Sequence, residues 1–134
     1  MIACERKLMM VFEACDCHSE DMINAFVASH DDEGNLFPPL GCLKPESSPV
    51  WVLDHLIVEP GYEDAAAPCL QWFIDNVIRC DGPLLVYPVI SYFDKSQNSI
   101  EHDSSPDANR RIREFYASMN FLPLRDSDYM YLNT

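Results

Sequence analysis

The sequence predicts an α/β (α+β) fold in a single domain that spans residues 1–134. From Val50 onward, runs rich in β-branched and aromatic residues alternate with segments whose apolar residues recur at helical spacing. Proline, glycine and aspartate separate these segments. The resulting order is strand, helix, strand, helix, strand, strand, which predicts a sheet with helices packed on it.

The N-terminal region adds a strand and a helix to this order. Lys7–Cys15 is a dense apolar run with β-branched and aromatic members and predicts a strand. Ser19–His30 has its apolar residues on one helical stripe, with Ser19 as the expected N-cap. Leu36–Leu43 holds two prolines and a glycine, so we expect at most a short edge strand there.

The middle of the chain carries the strongest strand pattern. Val50–Val58 is nearly continuous in apolar residues, as expected for a central strand covered on both faces. Pro60 and Gly61 end it. Ala65–Arg79 then predicts an amphipathic helix, in which Pro68 is tolerable only because it falls in the first turn.

The C-terminal half completes the sheet. Leu84–Ile90 predicts the next strand, and Phe93–Asp107 is polar and irregular, which indicates a long loop. Ser105 then caps a helix whose first residue is proline. Phe121–Leu124 and Tyr129–Leu132 predict two short strands around a turn.

The charge of the chain narrows the choice of partners. Twenty-two acidic against nine basic residues give a formal net charge of −13, which argues against binding nucleic acid through its phosphates. The charge suits a cationic amine substrate or a basic protein, although acidic residues that merely maintain solubility are the simpler explanation. No apolar run is long enough for a membrane span and no secretory signal is present, so we expect a cytoplasmic protein. The oligomeric state stays open.

The six cysteines do not form a recognisable metal or disulfide pattern. Several lie inside apolar runs, where cysteine acts as a small buried hydrophobe, and we expect reduced thiols. Cys15-Asp16-Cys17-His18 lacks the CxxC spacing of a structural zinc site and has no second ligand pair. We therefore expect no metal.

Two motifs in the right order resemble those of one family. Val58-Glu59-Pro60-Gly61-Tyr62 matches a strand end V-x-P-x-Y, and Asn109, Phe115, Tyr116 and Phe121 match a later N-x-x-A-x-x-(L/F)-Y-x-x-x-G-F pattern. Residues 50–132 thereby resemble the acyl-CoA-dependent N-acyltransferase (GNAT) superfamily. The resemblance implies a mixed, mostly antiparallel sheet with helices on both faces. It also implies N-acetyltransferase-type transfer of an acyl group from acetyl-CoA to an amine.

The same resemblance assigns a cofactor-binding loop. The family uses an R/Q-x-x-G-x-G/A loop at a helix start to hold the pyrophosphate of the cofactor, and the resemblance also assigns Val58 and Asn109 to cofactor binding. Here the loop positions are Glu63, Asp64, Ala66 and Pro68. Two carboxylates would face a diphosphate, each costing about 1 kcal/mol in water. Pro68 also lacks an N–H donor. The loop therefore predicts a short member of the family with a degenerate pyrophosphate site.

The catalytic candidates are Tyr116 and Asp54. Tyr116 matches the tyrosine that serves as general acid in many members, although it lies on an apolar helical stripe and a core role explains it as well. Asp54 is a candidate base because a carboxylate inside an apolar strand needs a partner or a shifted pKa. A structural hydrogen bond at Asp54 and a core role for His55 are the simpler alternatives.

Two other functional interpretations stay open. The first is a non-catalytic GNAT-fold binding or accessory protein that has lost acyl-CoA. The second is an unrelated α/β architecture with chance motif matches. A serine-type triad has little support, because no G-x-S-x-G occurs.

Overall fold

A computed structural model describes residues 20–30, 50–79, 82–96 and 99–133 of the chain. The strand expected at Lys7–Cys15, the cap Ser19 and the segment Leu36–Leu43 lie outside the described residues. Within the described residues, no helix is both long and apolar enough to cross a bilayer.

The described residues form three α-helices and six strands, with a short 3-10 turn before the second helix and a π-helical turn after it. In chain order they are α1 (Glu20–Ser29), β1 (Trp51–Leu53), the 3-10 turn (Glu63–Ala65), α2 (Ala66–Phe73), the π-helical turn (Ile74–Ile78), β2 (Pro83–Val86), β3 (Ile90–Phe93), β4 (Ile100–Asp103), α3 (Pro106–Ser118), β5 (Leu122–Pro123) and β6 (Met130–Asn133).

The strands form one mixed sheet and one hairpin. The sheet has the order β1-β2-β6-β5, in which β1 and β2 are parallel and the other neighbours antiparallel. β3 and β4 form an antiparallel hairpin that meets the chain after β1 through one parallel bridge, Ile57–Ser91. These helices and mixed strand pairs confirm the predicted α/β class.

Helices cover both faces of the sheet, and β2 contributes side chains to both because they alternate along the strand. Leu84 and Val86 point to a core built with α2, the π-helical turn and α3, whereas Leu85 points to a second core that includes Ala25 of α1. The first core also contains Phe121, which is 2% exposed. Burial on both faces explains why β2 is apolar at every position.

The start of α3 confirms the predicted cap. Ser105 is extended, and its Oγ accepts a hydrogen bond from the Ala108 N–H at 3.3 Å. Pro106 follows as the first helical residue, where its missing N–H has no intrahelical role.

Three predicted boundaries were wrong. The strand expected over Val50–Val58 pairs only along Trp51–Leu53, at one edge of the described sheet rather than at its centre. The strand expected over Leu84–Ile90 is divided, since β2 ends at Val86 and β3 begins at Ile90. The loop expected over Phe93–Asp107 contains β4 instead.

Leu84→Ala tests the first core. Leu84 is 1% exposed, so its truncation should lower the free energy of unfolding by about 2–5 kcal/mol through lost burial and the cavity left behind. Leu122 is 54% exposed and supplies the matched control, whose Leu→Ala change should stay within about 0.5 kcal/mol. Urea unfolding of both variants measures the difference. Equal effects would contradict the assignment of this core.

Candidate active site

The hydrogen-bond ladder between β1 and the following strands is interrupted at one place. Regular pairing ends at Leu53–Val86, and the single bridge Ile57–Ser91 restores contact further along. Pro88 lies in the gap and has no N–H to donate. The next N–H, of Val89, donates to the Tyr87 carbonyl at 2.9 Å, which closes a γ-turn.

A cleft of about 640 Å³ opens at this interruption. Its walls come from α1, the end of β1, the γ-turn, His102 of β4 and the turn between β5 and β6. The lining residues are Asn24, Val27, Ala28, Val52, Leu53, Asp54, His55, Tyr87, Val89, His102, Arg125, Asp126, Ser127, Asp128 and Tyr129.

Asp54 and His55 lie directly after β1, on the wall of the cleft. Contrary to the expectation of a buried carboxylate in a strand, the Asp54 side chain is 60% exposed. Its Oδ2 is 3.6 Å from His55 Nε2, a close approach that is too long for a hydrogen bond. His55 Nδ1 is buried, with no hydrogen-bond partner among the described residues.

A second imidazole faces the first. The rings of His55 and His102 stack with their centroids 5.7 Å apart and their planes at 27°. His102 is opposite Ser91 in the β3–β4 pairing, and Ser91 Oγ and His102 Nδ1 are hydrogen-bonded at 3.0 Å. Ser91 is only 5% exposed, whereas the His102 side chain reaches the cleft.

The turn between β5 and β6 holds two further carboxylates at the cleft. Ser127 fixes the turn, because its N–H and hydroxyl both donate to the Leu124 carbonyl, at 3.1 and 2.6 Å. Asp126 and Asp128 flank Ser127 on the cleft wall. With Asp54 they place three carboxylates on the cleft wall against one guanidinium, that of Arg125. This balance favours a cationic ligand.

A smaller cavity of about 320 Å³ adjoins the cleft and shares His102 and Asp128 with it. It contains Asn109, a residue predicted to bind cofactor, whose Nδ2 donates to the Ser104 carbonyl at 3.5 Å. Arg113 lines the same cavity, and its guanidinium donates to the Asp128 carbonyl at 3.1 Å. Asn109 and Arg113 thus line the smaller cavity and not the more acidic cleft.

Tyr116 does not reach either cavity. Its side chain is 3% exposed in the first core, with its ring centroid 5.2 Å from both the Phe115 and the Phe121 rings. Burial raises the pKa of the Tyr116 hydroxyl to about 12. The structure therefore brings Asp54 to the cleft and leaves Tyr116 apart from it, in a packing role.

The predicted cofactor loop is organised around its own carboxylate. Glu59 to Tyr62 form a turn closed by the Tyr62 N–H donating to the Glu59 carbonyl at 3.0 Å, with Gly61 at φ 93°. The Glu63 carboxylate accepts the Gly61 N–H at 3.0 and 3.2 Å. Backbone N–H groups of Glu63 itself and of Gly61 lower the pKa of this carboxyl.

This loop does not fit a diphosphate. Glu63 occupies a backbone donor that an anion would need, and Asp64 beside it is exposed. Ala66 begins α2, and Pro68 removes a donor from its first turn. Of the predicted cofactor residues Val58, Glu63, Asp64, Ala66, Pro68 and Asn109, only Asn109 lines one of the two cavities.

Sequence reasoning missed Ser91, His102 and the carboxylates of the β5–β6 turn. A signal existed for the interruption, because a proline inside the run LLVYPVI disfavours a continuous strand. The pairing of Ser91 with His102 has no such signal, since β4 carries no apolar alternation.

Comparisons with known proteins identify no relative: no family model, curated protein or solved structure matches the chain. Among the described residues, no group of three or more histidine, cysteine, aspartate or glutamate side chains could hold a metal ion.

Tyr116→Phe tests the packing role through its pH dependence. The unfolded chain ionises this phenol near pH 10, and the folded protein only near pH 12. The stabilisation by the neutral phenol is complete below pH 10 and is lost as the pH rises towards 12. Between pH 8 and 11, the wild type should therefore lose about 1 kcal/mol more unfolding free energy than the variant.

Urea unfolding at both pH values measures this difference. Tyr92, which is 47% exposed, provides the matched Tyr→Phe control for loss of a hydroxyl. Parallel losses in wild type and Tyr116→Phe would show that the Tyr116 hydroxyl is accessible to solvent, contrary to the core assignment.

Proposed function

We propose that the protein is a GNAT-type N-acyltransferase that moves an acyl group from a thioester to a cationic amine in the cleft. The observation that carries the proposal is the interrupted pairing after Leu53 and Val86, where a cleft lined by ionisable groups opens between α1, the end of β1 and the β5–β6 turn. The order of motifs along residues 50–132 supports the same function.

The charges of the cleft suit the amine. Asp54, Asp126 and Asp128 favour an alkylammonium ion, and such an ion must lose a proton before its nitrogen can attack. Asp54 and His55 are the two candidate bases on the wall of the cleft. The exposure of Asp54 leaves it accessible to a substrate.

The reaction requires little further chemistry from the chain. The alkylammonium ion first gives one proton to Asp54 or His55. The amine nitrogen then attacks the thioester carbonyl carbon, a C–N bond forms, and the nitrogen loses its second proton to water. The C–S bond then breaks, and the leaving thiolate takes a proton from water, because Tyr116 lies in the core. Positioning of the two substrates supplies most of the acceleration in such a reaction.

The donor has to be held by its thioester end. The loop from Glu59 to Pro68 presents carboxylates rather than hydrogen-bond donors, so it does not attract the diphosphate of an acyl-CoA. Acetyl-CoA and a thioester without phosphates should therefore be used about equally well.

A second function, non-catalytic binding of a cationic ligand, is favoured by two observations. The predicted acid Tyr116 is buried, and Glu63 takes up a backbone donor of the cofactor loop. In this case 1,4-diaminobutane should raise the melting temperature in a salt-sensitive manner while no acyl transfer occurs.

The first experiment compares two acyl donors, acetyl-CoA and S-acetyl-N-acetylcysteamine, with 1,4-diaminobutane as acceptor. We expect N-acetylated product from both, with KM values within about threefold, since each phosphate contact that is absent would otherwise contribute about 1 kcal/mol or more. Mass spectrometry of the amine measures the product. Absence of product from both donors would refute acyl transfer and leave the binding function.

The second experiment removes the candidate base. Asp54→Asn should lower kcat/KM for 1,4-diaminobutane by about 100-fold, the usual scale for a general base. Asp75→Asn, which changes an exposed carboxylate on the π-helical turn outside both cavities, is the matched control. Equal activity of Asp54→Asn and Asp75→Asn would exclude Asp54 as the base.

A further inference from the structure

The buried hydroxyl of Ser91 has one hydrogen-bond partner among the described residues. Its Oγ is 3.0 Å from His102 Nδ1, and the two residues are direct neighbours across the β3–β4 hairpin. With Ser91 only 5% exposed, water has little access to the hydroxyl. The proton of a buried hydroxyl needs an acceptor, and His102 Nδ1 is the one in place.

This requirement selects one protonation form of the imidazole. If Nδ1 is unprotonated, the Ser91 hydroxyl donates to it and both groups are satisfied. If Nδ1 carried the proton, it would donate to Ser91 Oγ, and the serine proton would be left without an acceptor in the described part of the chain. An unsatisfied buried donor disfavours that form by roughly tenfold or more in population.

We propose that Ser91 is a positioning residue that holds His102 as the neutral Nε2–H tautomer, so that the cleft offers a hydrogen-bond donor to a carbonyl oxygen. His102 lines both cavities, the acidic cleft and the one that contains Asn109 and Arg113. The stacked His55 ring supports the imidazole plane from one side. The ligand class is a thioester or amide, whose oxygen accepts this N–H.

The assignment deepens the proposed acyl transfer, and its role in turnover rests on that function. Attack by the amine on the thioester places negative charge on the carbonyl oxygen, and a fixed N–H stabilises that charge in the transition state. A neutral imidazole can serve in this way without transferring its proton. His102 would then touch the reacting group, and Ser91 would act through it.

The tautomer is measured first, in the protein without substrate. Nitrogen-15 NMR of the imidazole rings should show His102 with a protonated Nε2 and a hydrogen-bonded, unprotonated Nδ1. In Ser91→Ala, the Nδ1–H form should increase by about tenfold. Ser91→Thr keeps the hydroxyl and should restore the wild-type signals, whereas Ser118→Ala on α3 controls for general loss of a serine. Protonated Nδ1 in the wild type would overturn the proposal outright, whatever the variants do.

The carbonyl contact is measured next, with S-acetyl-N-acetylcysteamine as the probe. Its addition should shift the His102 Nε2–H resonance in the wild type and in Ser91→Thr. If product forms, His102→Ala should lower kcat by about 100-fold, and His102→Gln, which retains an N–H donor, should recover part of it. A shift without product would retain the tautomer and the carbonyl site while refuting acyl transfer. An unshifted Nε2–H resonance would refute the carbonyl site.

Discussion

The hydrogen-bond ladder of β1 stops opposite Pro88, which follows β2 in the sequence. Proline has no N–H, and the next N–H, that of Val89, donates to the Tyr87 carbonyl. Three residues separate Leu53 from Ile57, whereas four separate their partners Val86 and Ser91. The two paired segments therefore cannot keep one register. The extra length is taken up as the γ-turn. Both the cleft and the direction of β3 follow from this mismatch, and the hairpin in turn brings Ser91 and His102 together.

The carboxylates of the cleft and those of the predicted cofactor loop differ in their surroundings. Both contain carboxylates, but those of the cleft line an open space together with two imidazoles, whereas Glu63 accepts the Gly61 N–H of its own loop. A carboxylate satisfied in this way makes the loop a closed turn rather than an anion site. Under the proposed acyl transfer, a thioester would have to be recognised by the hydrogen-bonding groups of the cleft around His102 instead.

Much of the fold could be predicted from the sequence, and less of the site. The capped α3, the helix after Pro60 and the closing strands follow local rules of capping, periodicity and turn chemistry, which act between near neighbours. Asp54 was found because it interrupts an apolar run. Ser91 and His102 are neighbours only because β3 and β4 pair as a hairpin. The sequence of β4, IEHD, has no alternation that predicts a strand. Register between distant residues is set by the fold as a whole.

Tyr116 shows how one residue can satisfy a family motif and serve the core instead. Its ring fills the space between α3 and β2 with Phe115 and Phe121 beside it, and removal of its hydroxyl from water is what raises its pKa to about 12. A general acid for a thiolate has to reach the sulfur, and a ring enclosed on this side of the sheet would have to leave the core to do so. Acyl transfer by this chain would therefore depend on groups at the interruption of β1, not on the helix that carries the motif.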